Sequence, residues 1–158
     1  MSYLIDTNVL SELMRQRPAA AVLGWFERNR GSEQWLSVIT VGELRRGIAL
    51  LRARTESARA DRLERAVDEI EGSFTHRILP VDTAVAHQWA LIATTAIDVS
   101  DGLIAATALT HGHTVATRNT KHFAHTGVAL VNPFELPSDG PVIRRRKRPG
   151  SSPPRAQG

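Results

Sequence analysis

The sequence predicts an α/β protein: a three-layer α/β/α sandwich around a mainly parallel central sheet. Two observations carry this reading. Short runs at residues 3–5, 35–38, 78–79, 114–116 and 129–131 are rich in aliphatic and β-branched residues and are bounded by polar or turn residues, as strands buried on both faces are. Longer amphipathic or alanine-rich stretches separate them, and no run alternates as a hairpin would. A chain of 158 residues with no internal repeat and no linker before Pro137 is one compact domain.

The helices follow from spacing and caps. Asp6 ends the first apolar run and can cap a helix behind it. Pro18 suits the first turn of a helix reaching about residue 30, with Val22, Leu23 and Phe26 on one side and Gly31 as its stop. Thr40 and Glu43 have capping-box spacing and open a helix through about residue 54, in which Val41, Leu44, Ile48 and Leu51 recur at three and four. Leu63, Ala66, Val67 and Ile70 mark the next. Residues 83–96 and 101–111 are alanine-rich with leucine and isoleucine, and Gly112 can close the second of them.

Composition narrows the chemistry. Without cysteine there is no disulfide, iron–sulfur cluster, zinc finger or thiol nucleophile. The opening MSYLIDTNVL lacks a basic segment followed by an apolar one, so no signal peptide is expected. No stretch approaches the roughly 18 apolar residues of a membrane span, and a soluble, cytoplasmic protein with no membrane partner is expected. The net charge of +4 is unevenly placed. Arg144, Arg145, Arg146, Lys147, Arg148 and Arg155 fall in the last 15 positions, which hold no acid. Residues 1–143 therefore carry 14 basic against 16 acidic residues, net −2. Residues 137–158 are dense in proline, glycine and serine, lack apolar periodicity, and read as a disordered basic tail behind a domain of residues 1–136. Such a tail is either a solubilising arm or an electrostatic lure for nucleic-acid phosphates.

Three acids stand where an α/β sheet binds ligands, beyond the carboxyl ends of its strands. Asp6 follows the first strand, Glu43 lies in the helix after the second, and Asp101 opens the helix before the fourth. Each also has a structural reading: Asp6 as an N-cap, Glu43 as the capping-box glutamate, Asp101 as a first-turn acid favoured by the helix dipole. Asp98 reads as an N-terminal helix acid of the same kind. Three converging carboxylates repel one another and raise one another's pKa unless cations neutralise them. With oxygen donors and no thiol, magnesium suits the set, manganese can substitute, and zinc does not fit. The histidine pairs His111/His113 and His122/His125 bring no further ligand with them.

In their order and spacing the segments YLIDTNVLSEL, LSVITVGELRRGI, RILPVD, DGLIAATALTHGHTVATRN and GVALVNPFE resemble the PIN-domain ribonucleases, and within them the VapC-like toxins of bacterial type II toxin–antitoxin pairs. The likeness covers residues 2–136. It implies a PIN-like nuclease domain whose metal-binding and catalytic acids are Asp6, Glu43 and Asp101. Thr7, Asn8, Ser11 and Thr40 are then polar neighbours that orient water or ligands. It implies a magnesium-dependent endoribonuclease that hydrolyses RNA phosphodiester bonds by a metal-activated water, with RNA as substrate, a cognate antitoxin as restraint and a homodimer as the assembly. Arg118, Lys121 and the tail cations Arg144, Arg145 and Arg146 are candidate RNA contacts. The family's fourth acidic position falls on Asn119, which lacks the negative charge and can serve only as a support, and the link preceding Asp101 is shorter than in relatives. Two other readings stay open: a PIN nuclease of RNA processing without a toxin role, and a catalytically silent module that binds nucleic acid through its tail.

Overall fold

In a computed structural model, which describes residues 1–92 and 96–136, the chain builds a five-stranded sheet in the order β3-β2-β1-β4-β5, with every neighbouring pair parallel. The strands are β1 (Ser2–Ile5), β2 (Glu33–Ser37), β3 (Ile78–Leu79), β4 (Thr114–Ala116) and β5 (Leu130–Val131). Helices fill every crossover: α1 (Thr7–Leu13) and α2 (Ala20–Arg28), α3 (Val38–Ala53) and α4 (Ser57–Ser73), α5 (Thr83–Ile92) and α6 (Val99–His111), and α7 (Thr120–Phe123). The expected α/β/α sandwich is present, with a sheet that is wholly parallel among the described residues.

Alternation along β1 divides the core. Tyr3 and Ile5 face one way, into a cluster with Val9, Leu10, Val22, Leu36, Leu44, Ile48 and Val67 from α1 to α4 and β2. Leu4 faces the other way, with Val85, Ile104, Ala105, Ala108, Val115 and Phe123 from α5 to α7 and β4. A central strand covered on both faces must be apolar throughout, which is why YLI shows no polar alternation. The chain runs outward from β1 to β2 and β3, then crosses back to place β4 on the other side of β1. Neighbouring crossovers therefore leave β1 and β4 in opposite directions, opening a crevice at their carboxyl ends.

Several local expectations change. The helix expected from Thr40 starts at Val38, capped by Ser37, whose hydroxyl accepts the Ile39 N–H at 3.2 Å. The strand expected at 35–38 is shifted to Glu33–Ser37. Strand passes straight into helix here, and the β-branched Val38 reads as strand while belonging to the helix. Pro18 precedes its helix, which begins at Ala20. The helix expected from residue 101 starts at Val99 and is capped by Asp98, whose carboxylate accepts the Ser100 N–H at 2.9 Å; it closes at Gly112 in the left-handed conformation, φ 69°. The last stretch of the expected 83–96 helix falls on residues 93–95, and the expected tail on 137–158, both outside the described residues. No helix among the described residues is long and apolar enough to cross a membrane.

The central strand sets a stability test. Leu4 is fully buried, so Leu4→Ala should cost about 3 kcal/mol in urea unfolding, and a loss under about 1 kcal/mol would contradict this packing.

Candidate active site

The site is built outward from Asp6. Its N–H extends the β1–β4 ladder by donating to the Ala116 carbonyl at 3.0 Å, so the parallel register that pairs Ile5 with Ala116 sets Asp6 beside Thr117. The chain then turns into α1, and Asp6 is its N-cap. Its Oδ1 accepts the Thr7 N–H at 2.7 Å, and its Oδ2 accepts both the Thr117 hydroxyl and the Asn8 amide at 2.6 Å. Only 4% of Asp6 is exposed. Burial lifts its pKa above the usual carboxylate value; the bonds from Thr117 and Thr7 oppose that rise, and the negative charges of Asp101 and Glu43 add to it. Of the three acids singled out in the sequence, Glu43 and Asp101 thus each lie within electrostatic reach of Asp6.

Thr7 bonds both Asp6 and Glu43, whereas Asp101 is held apart from them by His122. Glu43, in the second turn of α3, accepts a short hydrogen bond from the Thr7 hydroxyl. That bond crosses from α3 to α1, and with Ser37 as the cap it removes the capping-box explanation of Glu43. Asp101, in the first turn of α6, has its Oδ2 3.1 Å from Nδ1 of His122 on α7. The adjoining Gly102 lets α6 pack tightly on α5, since a Cβ there would stand 3.1 Å from the indole nitrogen of Trp89. Asn8 joins the strands' ends: its amide also donates to the Thr117 hydroxyl at 3.0 Å, and its carbonyl accepts the Arg118 N–H at 3.1 Å. Thr40 is fully buried one turn before Glu43, on the same face of α3. Its hydroxyl has no partner among the described residues.

The remaining candidates sit around this centre. Ser11 lines an open cleft of about 1240 Å3 between α1, α3 and α4, together with Thr7, Asn8, Glu43 and Arg118, whereas Asp6 and Asp101 do not line it. Arg118 lays its guanidinium 4.9 Å over the Phe134 ring. Asn119 is exposed, and the contact it makes to the site is through its backbone N–H, which donates to Thr117 at 3.0 Å. Lys121 is exposed on α7, and Arg144, Arg145 and Arg146 lie outside the described residues.

Sequence reasoning missed three groups. Thr117 is wholly buried against Asp6, and the rule that singled out Asp6, a polar residue ending an apolar run, applies equally to VAT at 115–117. His122 was weighed only as a zinc ligand. Glu12, buried on α1, accepts the Ala19 N–H at 2.9 Å and an Arg15 guanidinium bond at 3.1 Å, tying α1 to the start of α2. The Ala19 bond above all holds its carboxyl below the usual range.

Among the described residues no three His, Asp or Glu side chains are grouped so that they could hold a metal ion by themselves. The donors nonetheless suit a hydrated hard cation. Mg2+ keeps several waters and needs only one or two carboxylates, Asp6 carries charge that neighbouring acids raise in energy, and the buried Thr40 hydroxyl is left free beside Glu43.

The raised pKa of Asp6 has a measurable sign. A carboxyl whose folded-state pKa exceeds its unfolded value, near 3.8, stabilises the fold fully below that value and loses the contribution as pH rises through the folded-state pKa. In EDTA the Tm of wild type relative to Asp6→Asn should therefore fall as pH rises above the ordinary carboxylate value of 3.8. A difference flat with pH would show that Asp6 ionises as freely folded as unfolded.

Known proteins share this arrangement of elements. A family model described as PIN domain matches residues 3–129, a span holding all three acids, Thr117 and Asn119. Toxin FitB of Neisseria gonorrhoeae is 41% identical over 138 residues, 83% of this chain and 97% of its own length. VapC ribonuclease Y4jK of Sinorhizobium fredii is 38% identical over 139 residues, 84% of this chain and 97% of its own length. The crystal structure of FitAcB from Neisseria gonorrhoeae matches with a TM-score of 0.69 at 39% identity, covering 85% of this chain and 99% of that one. With the model spanning most of the chain and relatives matched almost end to end, this protein belongs to the PIN domain family.

Proposed function

We propose that this chain is a magnesium-dependent endoribonuclease, the toxin of a type II toxin–antitoxin pair, restrained by a cognate antitoxin and acting as a homodimer. The observation that carries the chemistry is the buried Asp6 carboxylate at the carboxyl end of the central strand, coupled by charge to Glu43 and Asp101. Its biology is supported by kinship: one relative is named a toxin and another a ribonuclease.

Asp6, Glu43 and Asp101 would hold the cation, with Thr40 and Ser11 as neighbours for its waters. When bound, magnesium neutralises the carboxylates and the scissile phosphate and favours ionisation of water at the site. The chain's own groups do the positioning. Thr7 N–H, Asn8 and Thr117 fix both oxygens of Asp6, so that its geometry is set before substrate arrives. The Thr7 hydroxyl fixes Glu43 at the cleft, where this carboxylate can polarise the water that attacks in line with the leaving oxygen. His122 holds an oxygen of Asp101. Arg118, anchored through its N–H to Asn8, supplies a cation for the phosphate beside the acids. Asn119 adds no charge, so the site works with three acids.

Cleavage of a mixed RNA pool by wild type and by Asp6→Asn, each in magnesium and in EDTA, tests this reading. Wild type should cut in magnesium alone, and the variant should lose about 100-fold or more. Equal cutting by the variant or in EDTA would overturn the assignment of the centre. Binding without any cutting would favour the silent nucleic-acid-binding module.

A further inference from the structure

The folded body is mildly acidic, yet the cleft that opens beside Glu43 is not. Five arginines line it, Arg15, Arg17, Arg59, Arg62 and Arg118, against two acids, Glu12 and Glu43. Glu12 is occupied by the Ala19 N–H and Arg15, and Glu43 by the Thr7 hydroxyl.

The segregation is produced by α4. Four of its five acids turn to α3: Asp61 and Glu64 take Arg52, and Asp68 and Glu71 take Arg45, through four ion pairs of 2.5–2.9 Å, while Glu56 just before the helix takes Arg59 at 3.3 Å. None of these four carboxylates lines the cleft, whereas Arg59 and Arg62 of the same helix do. Arg62 and, across the cleft, Arg17 are both exposed and have no carboxylate partner among the described residues. Clustered guanidinium groups facing solvent repel one another unless an anion lies between them, and their planar donors match phosphate oxygens two at a time. An extended polyanion satisfies the row, and a single strand leading to a phosphodiester-cutting centre is such a polyanion.

We infer that this cleft is the path along which the RNA backbone reaches the carboxylates, with Arg17 and Arg62 gripping phosphates and Arg118 beside the site. The inference rests on the nuclease reading and assigns the substrate's route to α1 and α4, independently of the basic tail.

The test is fluorescence anisotropy of a short, labelled single-stranded RNA of mixed sequence with the full chain in EDTA, across a series of salt concentrations. Each phosphate contact on a single strand contributes roughly 0.7 to the slope of log K against log salt. The double variant Arg17→Gln/Arg62→Gln should lower that slope by about 1.4 and bind roughly tenfold more weakly near 0.1 M salt. The charge-matched double variant Arg46→Gln/Arg65→Gln lies on α3 and α4 at exposed positions outside the cleft and should retain wild-type slope and affinity. If both double variants lose slope equally, the effect is net charge and the path is overturned. If the cleft variant binds as wild type does, the path is also overturned, the nuclease reading stands, and the cleft is left to a protein segment. If wild type itself binds no RNA, the path and the nuclease reading fall together.

Discussion

Asp6 puts an ionisable carboxyl at the one point where β1, β4 and α1 meet, and most of what surrounds it can be understood as the cost of keeping it there. A buried carboxylate without partners would be expelled or neutralised. This one receives a backbone N–H at a helix N-terminus, a threonine hydroxyl from the neighbouring strand and an amide from the first turn of α1. Thr7 and Asn8 follow Asp6 directly in the chain, whereas Thr117 lies more than a hundred residues away and is brought beside it by the parallel β1–β4 register. The order of strands in the sheet is therefore a precondition of the site. Glu43 and Asp101 then work against the donors by adding negative charge, and a hard cation is the simplest relief.

The site reuses devices that a fold needs anyway. Asp6 is at once an N-cap and the central acid, and the two roles do not compete: an N-cap oxygen is fixed by the first turn, and a fixed oxygen is what a preorganised centre requires. Asp98 and Asp101 divide the same labour on α6. Asp98 caps the helix, leaving Asp101, one turn in, to face the site region and His122. At α3 the division is between Ser37, which caps, and Glu43, whose bond runs to α1 instead of to its own helix.

Legibility in the sequence tracked the range of the interactions involved. The strands could be read because burial on both faces forbids polar alternation, and Tyr3, Leu4 and Ile5 show it. Asp6 and Asp101 could be read because strand ends and helix first turns leave local marks. The start of α3 could not, because Ser37 and Thr40 are both good caps and only tertiary packing, which buries Thr40 completely, decides between them. The four-residue α7 is too short for any periodicity to mark it. Thr117 ends an apolar run but carries no charge, and its tie to Asp6 depends on a register that the sequence does not display. The cleft is the least legible feature. Whether an arginine of α4 stands free or is clamped depends on which acids turn to Arg45 and Arg52 on α3 and on Glu56, which pairs with Arg59.

The central claim is that Asp6, Glu43 and Asp101 serve one cation, although in the structure Thr7 joins only the first two and His122 holds Asp101. Calorimetric titration of Mn2+ into wild type, Glu43→Gln and Asp101→Asn measures this without reference to RNA. The account predicts binding to wild type that weakens about tenfold or more in each variant. Unchanged Mn2+ affinity in both variants would contradict it and leave the two acids as parts of the scaffold.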